Sequence, residues 1–457
     1  MNDVLTRRTP SEAGVDARGI LRFLDALEAD PRLRPHGLVV LRDGARIAEG
    51  TWAPFEADRI HLLYSLSKSF TSTAVGFAVQ EGLLDLDATV LSFFPECDAD
   101  VTDPRSRAMT LRHVAAMASG HAGETIDVAF GRDPLEPVRG FLLTPPDADP
   151  GTLFAYNQLC TYSLAAVVQQ VTGKRLVDYL RPRLFDPLGI GEVAWIQHPE
   201  GRDIGFSGLH ATTDAVARLG ELYRRGGVWG DRRLLDEEWV ALATRMHIDT
   251  PPGNPDWQLG YGYQFWMSQH GYRGDGAYGQ FCVVVPEAGL VVATTAECVE
   301  MQPVLDALWE HLLPAVGAEG DPAADAELAA RLSTLAVPVP AVDAAPGAYW
   351  SGREFSALGP VPTVRVVVEG DDARLELVEA SGVLAIPFAP GVWTRSQPGG
   401  VPVAASGGRR GDILEVDVLF LESPHSLTVT CRPDRDARVE WRTQPLADLA
   451  PSAQRRP

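Results

Sequence analysis

The chain has 457 residues, 45% of them hydrophobic, and a formal net charge of −21 at neutral pH. That length and apolar content can bury a large core divided over two domains or three. The acidic excess argues against nucleic acid or an anionic membrane surface as a partner. Cys97, Cys160, Cys282, Cys298 and Cys431 are odd in number, widely spaced and free of any C-x-x-C pair. They read as reduced core residues. No apolar segment follows Met1-Asn2-Asp3-Val4-Leu5-Thr6-Arg7-Arg8, and no run approaches a membrane span, so the expectation is a soluble cytoplasmic protein with no membrane partner.

Asp16 is placed to cap a helix whose apolar residues Ile20, Phe23, Leu24 and Leu27 recur at helical spacing and which ends before Pro31. Two strand-like runs, Gly37 to Arg42 and Ala45 to Gly50, are joined by Asp43-Gly44, the strongest short hairpin signal. A third strand over Arg59 to Leu63 leads into Tyr64-Ser65-Leu66-Ser67-Lys68-Ser69-Phe70. Ser67 to about Gln80 then reads as one buried helix stopped at Gly82. From Leu83 to about Gly201 helices alternate with Pro- and Gly-punctuated loops, including Leu111 to Ala118 and Thr161 to Val171. Two further helices, Ala215 to Arg225 and Glu237 to Arg245, return the chain to strands. Gln280 to Pro286 and Gly289 to Thr295 form a second hairpin, and Val304 to Leu313 is an amphipathic helix. The fold class expected is α/β (α+β): residues 1–315 build an antiparallel sheet from both ends, flanked by helices, with a helical region inserted at about 83–215.

Residues 316–346 are rich in Ala, Pro and Asp around a short helix, Ala323 to Leu335, and read as a linker. Residues 347–457 change to short alternating strands: Thr363 to Val368, Arg374 to Val378, Leu414 to Leu421, Leu427 to Cys431 and Val439 to Trp441. Asp371-Asp372, Gly399-Gly400 and Gly407-Gly408 read as the turns between them. The pattern predicts a small antiparallel barrel or sandwich, lipocalin-like, serving either as structural support or as a wall of the active site.

Chemistry concentrates at Ser65-x-x-Lys68, whose spacing puts both side chains one turn apart on the same face of a helix. A serine hydroxyl is a poor nucleophile until a base takes its proton, and a lysine kept out of water can be that base. Lysine occurs only at Lys68 and Lys174, every other position of that charge type being arginine, which cannot release its proton. A serine cap followed by a surface lysine would spell the same letters. In Gly151-Thr152-Leu153-Phe154-Ala155-Tyr156-Asn157-Gln158, a tyrosine precedes a helix. Its phenol is placed to reach Ser65, and beside a lysine ammonium its pKa is expected to fall, which suits a proton shuttle; ordinary packing is the alternative. Arg273-Gly274-Asp275-Gly276-Ala277-Tyr278-Gly279-Gln280 runs into a strand. Its glycines allow close approach of a substrate, with the Gln280 amide as a second oxyanion donor beside that of Ser65; a plain glycine-rich turn is the alternative. His113, His121, His210 and His311 lack a G-x-S-x-G partner, and no H-E-x-x-H cluster occurs, so neither a Ser-His-Asp triad, a metal nor a cofactor is expected.

The order and spacing of these three motifs resemble the serine β-lactamase and penicillin-binding-protein superfamily, above all its class C β-lactamase and esterase branch. Thr110-Leu111-Arg112-His113-Val114, Ala118-Ser119-Gly120, Val171-Thr172-Gly173, Phe185-Asp186-Pro187-Leu188-Gly189 and Gly208-Leu209-His210-Ala211-Thr212-Thr213-Asp214 fit as well, over roughly Arg18 to Pro314. The resemblance implies Ser65 as the acylated nucleophile, Lys68 as its base, Tyr156 as proton shuttle and the amides of Ser65 and Gln280 as the oxyanion site. It also implies substrate contacts from the second and third motifs, where this chain departs from the pattern. The family's Tyr-x-Asn reads Tyr156-Asn157-Gln158, leaving open whether Gln158 or Asn157 takes the amide's role. The family's Lys or His of the third motif is Ala277 in Ala277-Tyr278-Gly279, with Arg273 the candidate replacement toward a carboxylate. Among the aromatic residues crowding that motif, Tyr272 and Tyr278 are candidate walls for an apolar or aromatic acyl group. The expectation is acyl-enzyme chemistry on a small-molecule or peptide ester, amide or thioester, ending in hydrolysis. The alternatives are an acyltransferase or peptide cyclase whose pocket excludes water, and a non-catalytic binding or sensing protein.

Overall fold

Two hairpins far apart in the chain meet to form a seven-stranded sheet. The computed structural model describes residues 4–433 and 436–457. Numbering only the strands of the two large sheets, β1 (Thr6–Arg7), β2 (Pro35–Arg42) and β3 (Ala45–Thr51) come from the start. The others, β4 (Trp266–Ser268), β5 (Gly271–Gly276), β6 (Gln280–Val285) and β7 (Leu290–Ala296), come from the far end of the same unit. The order is β1-β3-β2-β7-β6-β5-β4, antiparallel except where β1 runs parallel to β3. The two halves join at β2 and β7, from Arg42 opposite Leu290 to Pro35 opposite Ala296.

Strand periodicity divides the core into two layers. Val39, Leu41, Cys282, Val284 and Val291 face one hydrophobic core, which includes helices α2 (Ser67–Gln80), α3 (Gln158–Thr172) and α4 (Thr213–Arg224). Leu38, Val40, Phe281, Val283 and Val292 face the other, shared with the helix Ala17–Ala29, α1, whose start is capped by Asp16 accepting the Arg18 amide. The helices between α2 and α4 form the inserted region, while α4 packs on β2, β6 and β7, so the fold is the mixed α/β arrangement expected.

Three local readings change. The strand expected over Arg59 to Leu63 shrinks to His61–Leu62 and pairs with Leu209–Ala211 in a separate three-stranded sheet. Residues 316–346 are packed rather than a free spacer. Leu328, Leu335 and Val337 are buried in the α1 core, and backbone hydrogen bonds from Ala53 to Leu335 and from Val337 to Ala53 tie the segment down. Gly407-Gly408 is strand, not turn, paired with Val416 and Glu415; a Cβ at Gly407 would stand 2.4 Å from the Glu415 carbonyl, so the partner backbone fills the space that a side chain would need.

The C-terminal region holds nine strands: β8 (Arg353–Leu358), β9 (Thr363–Glu369), β10 (Asp372–Glu379), β11 (Gly382–Phe388), β12 (Thr394–Ser396), β13 (Val403–Arg410), β14 (Ile413–Phe420), β15 (Ser426–Cys431) and β16 (Ala437–Trp441). Their order, β11-β10-β9-β8-β16-β15-β14-β13-β12, curls into a nearly closed barrel around Val366, Leu375, Ile386, Val416 and Val429. Across the gap the Ala389 carbonyl accepts from the Ser406 hydroxyl and the Gly407 amide. The barrel is seated on the first unit. Ala404, Leu419 and Leu421 belong to the α1 core, the Leu62 amide donates to the Glu422 carbonyl at 2.8 Å, and the Trp393 indole donates to the Val337 carbonyl at 2.9 Å. Among the described residues no helix is long and apolar enough to cross a membrane.

Candidate active site

Ser65 sits in a single 3₁₀ turn, Tyr64–Leu66, that runs directly into α2. Ser67 pins this turn, its hydroxyl donating to the Tyr64 carbonyl at 2.6 Å and accepting the Leu209 amide at 3.0 Å. One turn on, Lys68 is 1% exposed. Its Nζ has three partners: Ser65 Oγ at 2.9 Å, Gln158 Oε1 at 2.6 Å and the Phe206 carbonyl at 2.7 Å. Two of the three are carbonyl oxygens that only accept, so they take two N–H bonds; only the Ser65 hydroxyl has a proton to give. When the amine is neutral, its lone pair therefore faces Ser65. Burial favours that neutral form and pulls the pKa of Lys68 down to about 7, against an opposing pull from the carboxylates of Glu124 and Asp275.

Tyr156 ends the loop before α3, its ring stacked on Trp266 at 5.4 Å and edge-on to Tyr261 at 6.1 Å. Lys68 Nζ lies 4.8 Å from its ring centroid, and its phenol is close enough to Ser65 for that hydroxyl to act on its pKa. The expected fall in its pKa is reversed. Desolvation of the phenolate and the nearby Asp275 charge push it above the ordinary tyrosine value, outweighing the Ser65 contact, so Tyr156 stays a protonated phenol. The choice between the two amides is settled by the helix start. Asn157 is fully buried as the α3 cap, accepting the Leu159 amide at 3.0 Å and donating to Thr125 Oγ1 at 2.9 Å, so it turns away from Lys68. Gln158, the first helical residue, is the one that reaches Nζ.

The third motif lies differently from the expectation. Ala277-Tyr278-Gly279 is the turn between β5 and β6, and the strand that closes on Ser65 is Gly274-Asp275-Gly276. A Cβ at Gly276 would stand 2.0 Å from the Leu63 carbonyl and 3.0 Å from the Leu66 amide, and one at Gly274 would meet Ser69 Oγ at 2.5 Å. Only glycine permits that approach. Gln280, fully buried, lies beyond it on β6, where its side-chain amide donates to the carbonyls of Ala277 and Ala296 and holds the turn. Tyr272 shares the face of β5 that packs into the core, edge-on to Phe265, and is not a cleft wall. Arg273 points to the opposite face, fully buried and ion-paired with Asp275 at 3.0 Å over the Trp257 ring, so no substrate carboxylate can reach it. Tyr278 is half-buried beside Tyr64, and its hydroxyl donates to the Gln444 carbonyl of the barrel region.

A cleft of about 420 Å³ opens over Ser65. Leu62, Ile126, Ile204 and Phe206 line one side, Pro445 and Leu446 from the C-terminal region line another, and Glu124, Asp448 and Arg455 stand around it. Of the two roles open to the C-terminal region, structural support or a wall of the active site, its segment after β16 takes the second. Phe206, Glu124 and the 445–455 wall went unread. The glycines of Gly205-Phe206-Ser207-Gly208 were the one available signal, whereas Phe206 acts through a carbonyl that every residue possesses.

A family model described as Beta-lactamase matches residues 22–315. The chain belongs to the beta-lactamase family. This beta-lactamase-family chain is 29% identical over 226 residues to the 6-aminohexanoate-dimer hydrolase of Paenarthrobacter ureafaciens, covering 44% of itself and 55% of that protein, about half of the relative's length. It is 27% identical over 317 residues to Penicillin-binding protein 4 of Amycolatopsis lactamdurans, covering 59% of itself and 82% of that protein. Among solved structures, EstCE1, described as a hydrolase with promiscuous acyltransferase activity, aligns with a TM-score of 0.52 and 17% identity over 64% of this chain and 98% of that one, a likeness of fold.

Proposed function

We propose that the protein is an esterase-like hydrolase that acylates Ser65 with a small neutral ester or amide inside the cell and releases the acyl group to water. The observation that carries this reading is the Lys68 amine, buried, with two N–H bonds committed to carbonyls and its remaining position on Ser65. In the first step the Ser65 hydroxyl proton passes to Lys68 Nζ as Oγ bonds to the substrate carbonyl carbon. The oxyanion that forms is held by the Ser65 amide and, since β5 closes on Ser65 at Gly276, by the amide of Ala277 in place of that of Gln280. Tyr156, a protonated phenol, gives its proton to the leaving group and is reprotonated through Lys68. A water then attacks the acyl carbon by the same relay in reverse.

The apolar lining suits an apolar acyl group. With no basic side chain in Gly274-Asp275-Gly276-Ala277 and Arg273 occupied by Asp275, neutral esters are favoured over carboxylate-bearing β-lactams. The five cysteines, all buried as free thiols, suit a reducing cytoplasm. A second reading, transfer of the acyl group to an amine, draws on Glu124, whose carboxylate stands in the same cleft and can hold an ammonium group near Ser65; EstCE1 is described as having promiscuous acyltransferase activity, with no acceptor named.

The test is intact-protein mass spectrometry after exposure to a fluorophosphonate and, separately, to p-nitrophenyl acetate. An adduct that maps to Ser65 and is lost in Ser65→Ala and Lys68→Ala supports the reading. An adduct that persists in Ser65→Ala, or none at all, refutes it. Adding an amine during p-nitrophenyl acetate turnover and measuring the amide formed separates transfer from hydrolysis.

A further inference from the structure

We infer that the C-terminal barrel region is a working part of the catalytic centre: through His425 and the segment 443–446 it holds Tyr64 and Tyr278, the two residues that flank the oxyanion site. The inference rests on Ser65 being the acylated residue.

Tyr64 and Tyr278 share an unusual property. Their φ angles are 47° and 69°, the left-handed conformation that a residue with a Cβ adopts only when its surroundings impose it. Each is also the immediate neighbour of one proposed oxyanion donor, Tyr64 of Ser65 and Tyr278 of Ala277. A rotation at either one swings an N–H away from the oxyanion.

Both tyrosines end on the barrel region. The Tyr64 hydroxyl is 2.5 Å from His425 Nε2, and His425 Nδ1 lies 2.9 Å from the Thr443 carbonyl. A carbonyl can only accept, so Nδ1 carries the imidazole proton, Nε2 is bare, and Tyr64 is the donor. The Tyr64 oxygen in turn receives the Leu446 amide at 3.4 Å, while the Tyr278 hydroxyl donates to the Gln444 carbonyl. The two phenol rings meet edge-on at 5.5 Å, and each also lies edge-on to the His425 ring, at 5.7 and 5.2 Å. Thr443 and Ser426 bond the buried Glu297 next to β7, which ties this cluster back to the main sheet. The same short segment thus braces the backbone on both sides of the oxyanion site and continues into the cleft wall at Leu446. Tyr64, Tyr278 and His425 are positioning residues; none of them bonds the reacting atoms.

Tyr64→Phe removes one oxygen and leaves the ring and backbone in place. The expected result is a fall in kcat for p-nitrophenyl acetate of about ten- to a hundred-fold with KM nearly unchanged, since misplacement of a reacting group costs rate more than binding. Fluorophosphonate labelling of Ser65 slows in parallel. His425→Gln is expected to give a similar loss, and the double variant no more than either alone, because both break one contact. A purely structural role would lower the melting temperature and spare kcat well below it. If wild type fails to label, the Ser65 reading falls. If wild type labels and Tyr64→Phe keeps kcat within about two-fold, or the two losses multiply in the double variant, this inference falls and the Ser65 reading stands. Should Tyr64→Phe not fold, Tyr278→Phe, at a half-buried turn, carries the kcat test: a loss of similar size supports the inference, and kcat within about two-fold overturns it.

Discussion

Replacing Lys68 by methionine separates what the buried amine does for chemistry from what it costs the fold. The amine keeps its proton to an ordinary pKa of 10.5 in the unfolded chain and releases it near 7 in the native one. At ~1.4 kcal/mol for each tenfold, that gap corresponds to roughly 5 kcal/mol. Between the two values the unfolded state binds the extra proton, so native stability is fully present above 10.5, declines as pH falls toward about 7, and levels off below it. Methionine fills a similar volume and does not titrate. It also leaves the Gln158 and Phe206 carbonyls without a donor, at about 1–3 kcal/mol each, but that loss does not vary with pH. The diagnostic is therefore the slope. Urea unfolding at a series of pH values is expected to show wild type gaining on Lys68→Met by ~1.4 kcal/mol per pH unit across this window. Stability curves that run parallel would mean that Lys68 holds its proton throughout, and it would then be disqualified as the base.

Further outcomes follow from the same geometry. The kcat/KM for p-nitrophenyl acetate is expected to rise with pH through a limb near 7 as Lys68 becomes neutral, and Gln158→Glu, which puts a carboxylate where the amide oxygen stands 2.6 Å from Nζ, moves that limb up by about 1–3 pH units; a limb that stays put assigns the titration to another group. Gly276→Ala drives a Cβ into the Leu63 carbonyl, which cannot yield without shifting Ser65, so a loss of about a hundred-fold in kcat is expected, and near-normal turnover would refute the close approach of β5. Leu446→Ser removes apolar wall from the cleft, so KM for p-nitrophenyl hexanoate is expected to rise about ten-fold while that for the acetate changes little; equal effects on both esters would place the acyl group elsewhere.

Much of this was readable from the chain because short-range rules decide it. Asp43-Gly44 announces the β2–β3 hairpin, and a three-residue gap at a helix start puts Lys68 over Ser65 whatever the rest of the fold does. Long-range facts were less accessible. Strand alternation says that residues 272, 274 and 276 share one face and 273 and 275 the other, but not that only the 274–276 end of the first face meets the nucleophile, which leaves Tyr272 in the core and Arg273 on the far side. The Tyr156 pKa runs against the expectation because a neighbouring lysine is visible in the sequence while burial of the phenol is not. Asn157 and Gln158 differ by one position at a helix start, and the cap turns the first of them inward.

The seat of the barrel bears on how such a protein can change. Ala404, Leu419 and Leu421 lie in the same core as α1 and the outer face of the main sheet, and Arg395 reaches back to the Pro54 carbonyl and Glu56. A graft that exchanged everything after β8 for another ending would leave apolar side chains of the first unit wet and would take from the Glu56 carboxylate one of its two guanidinium partners, Arg59 being the other. The two units therefore travel as a matched pair, and new substrate ranges are reached by altering the loop that follows β16 rather than by trading the barrel that carries it.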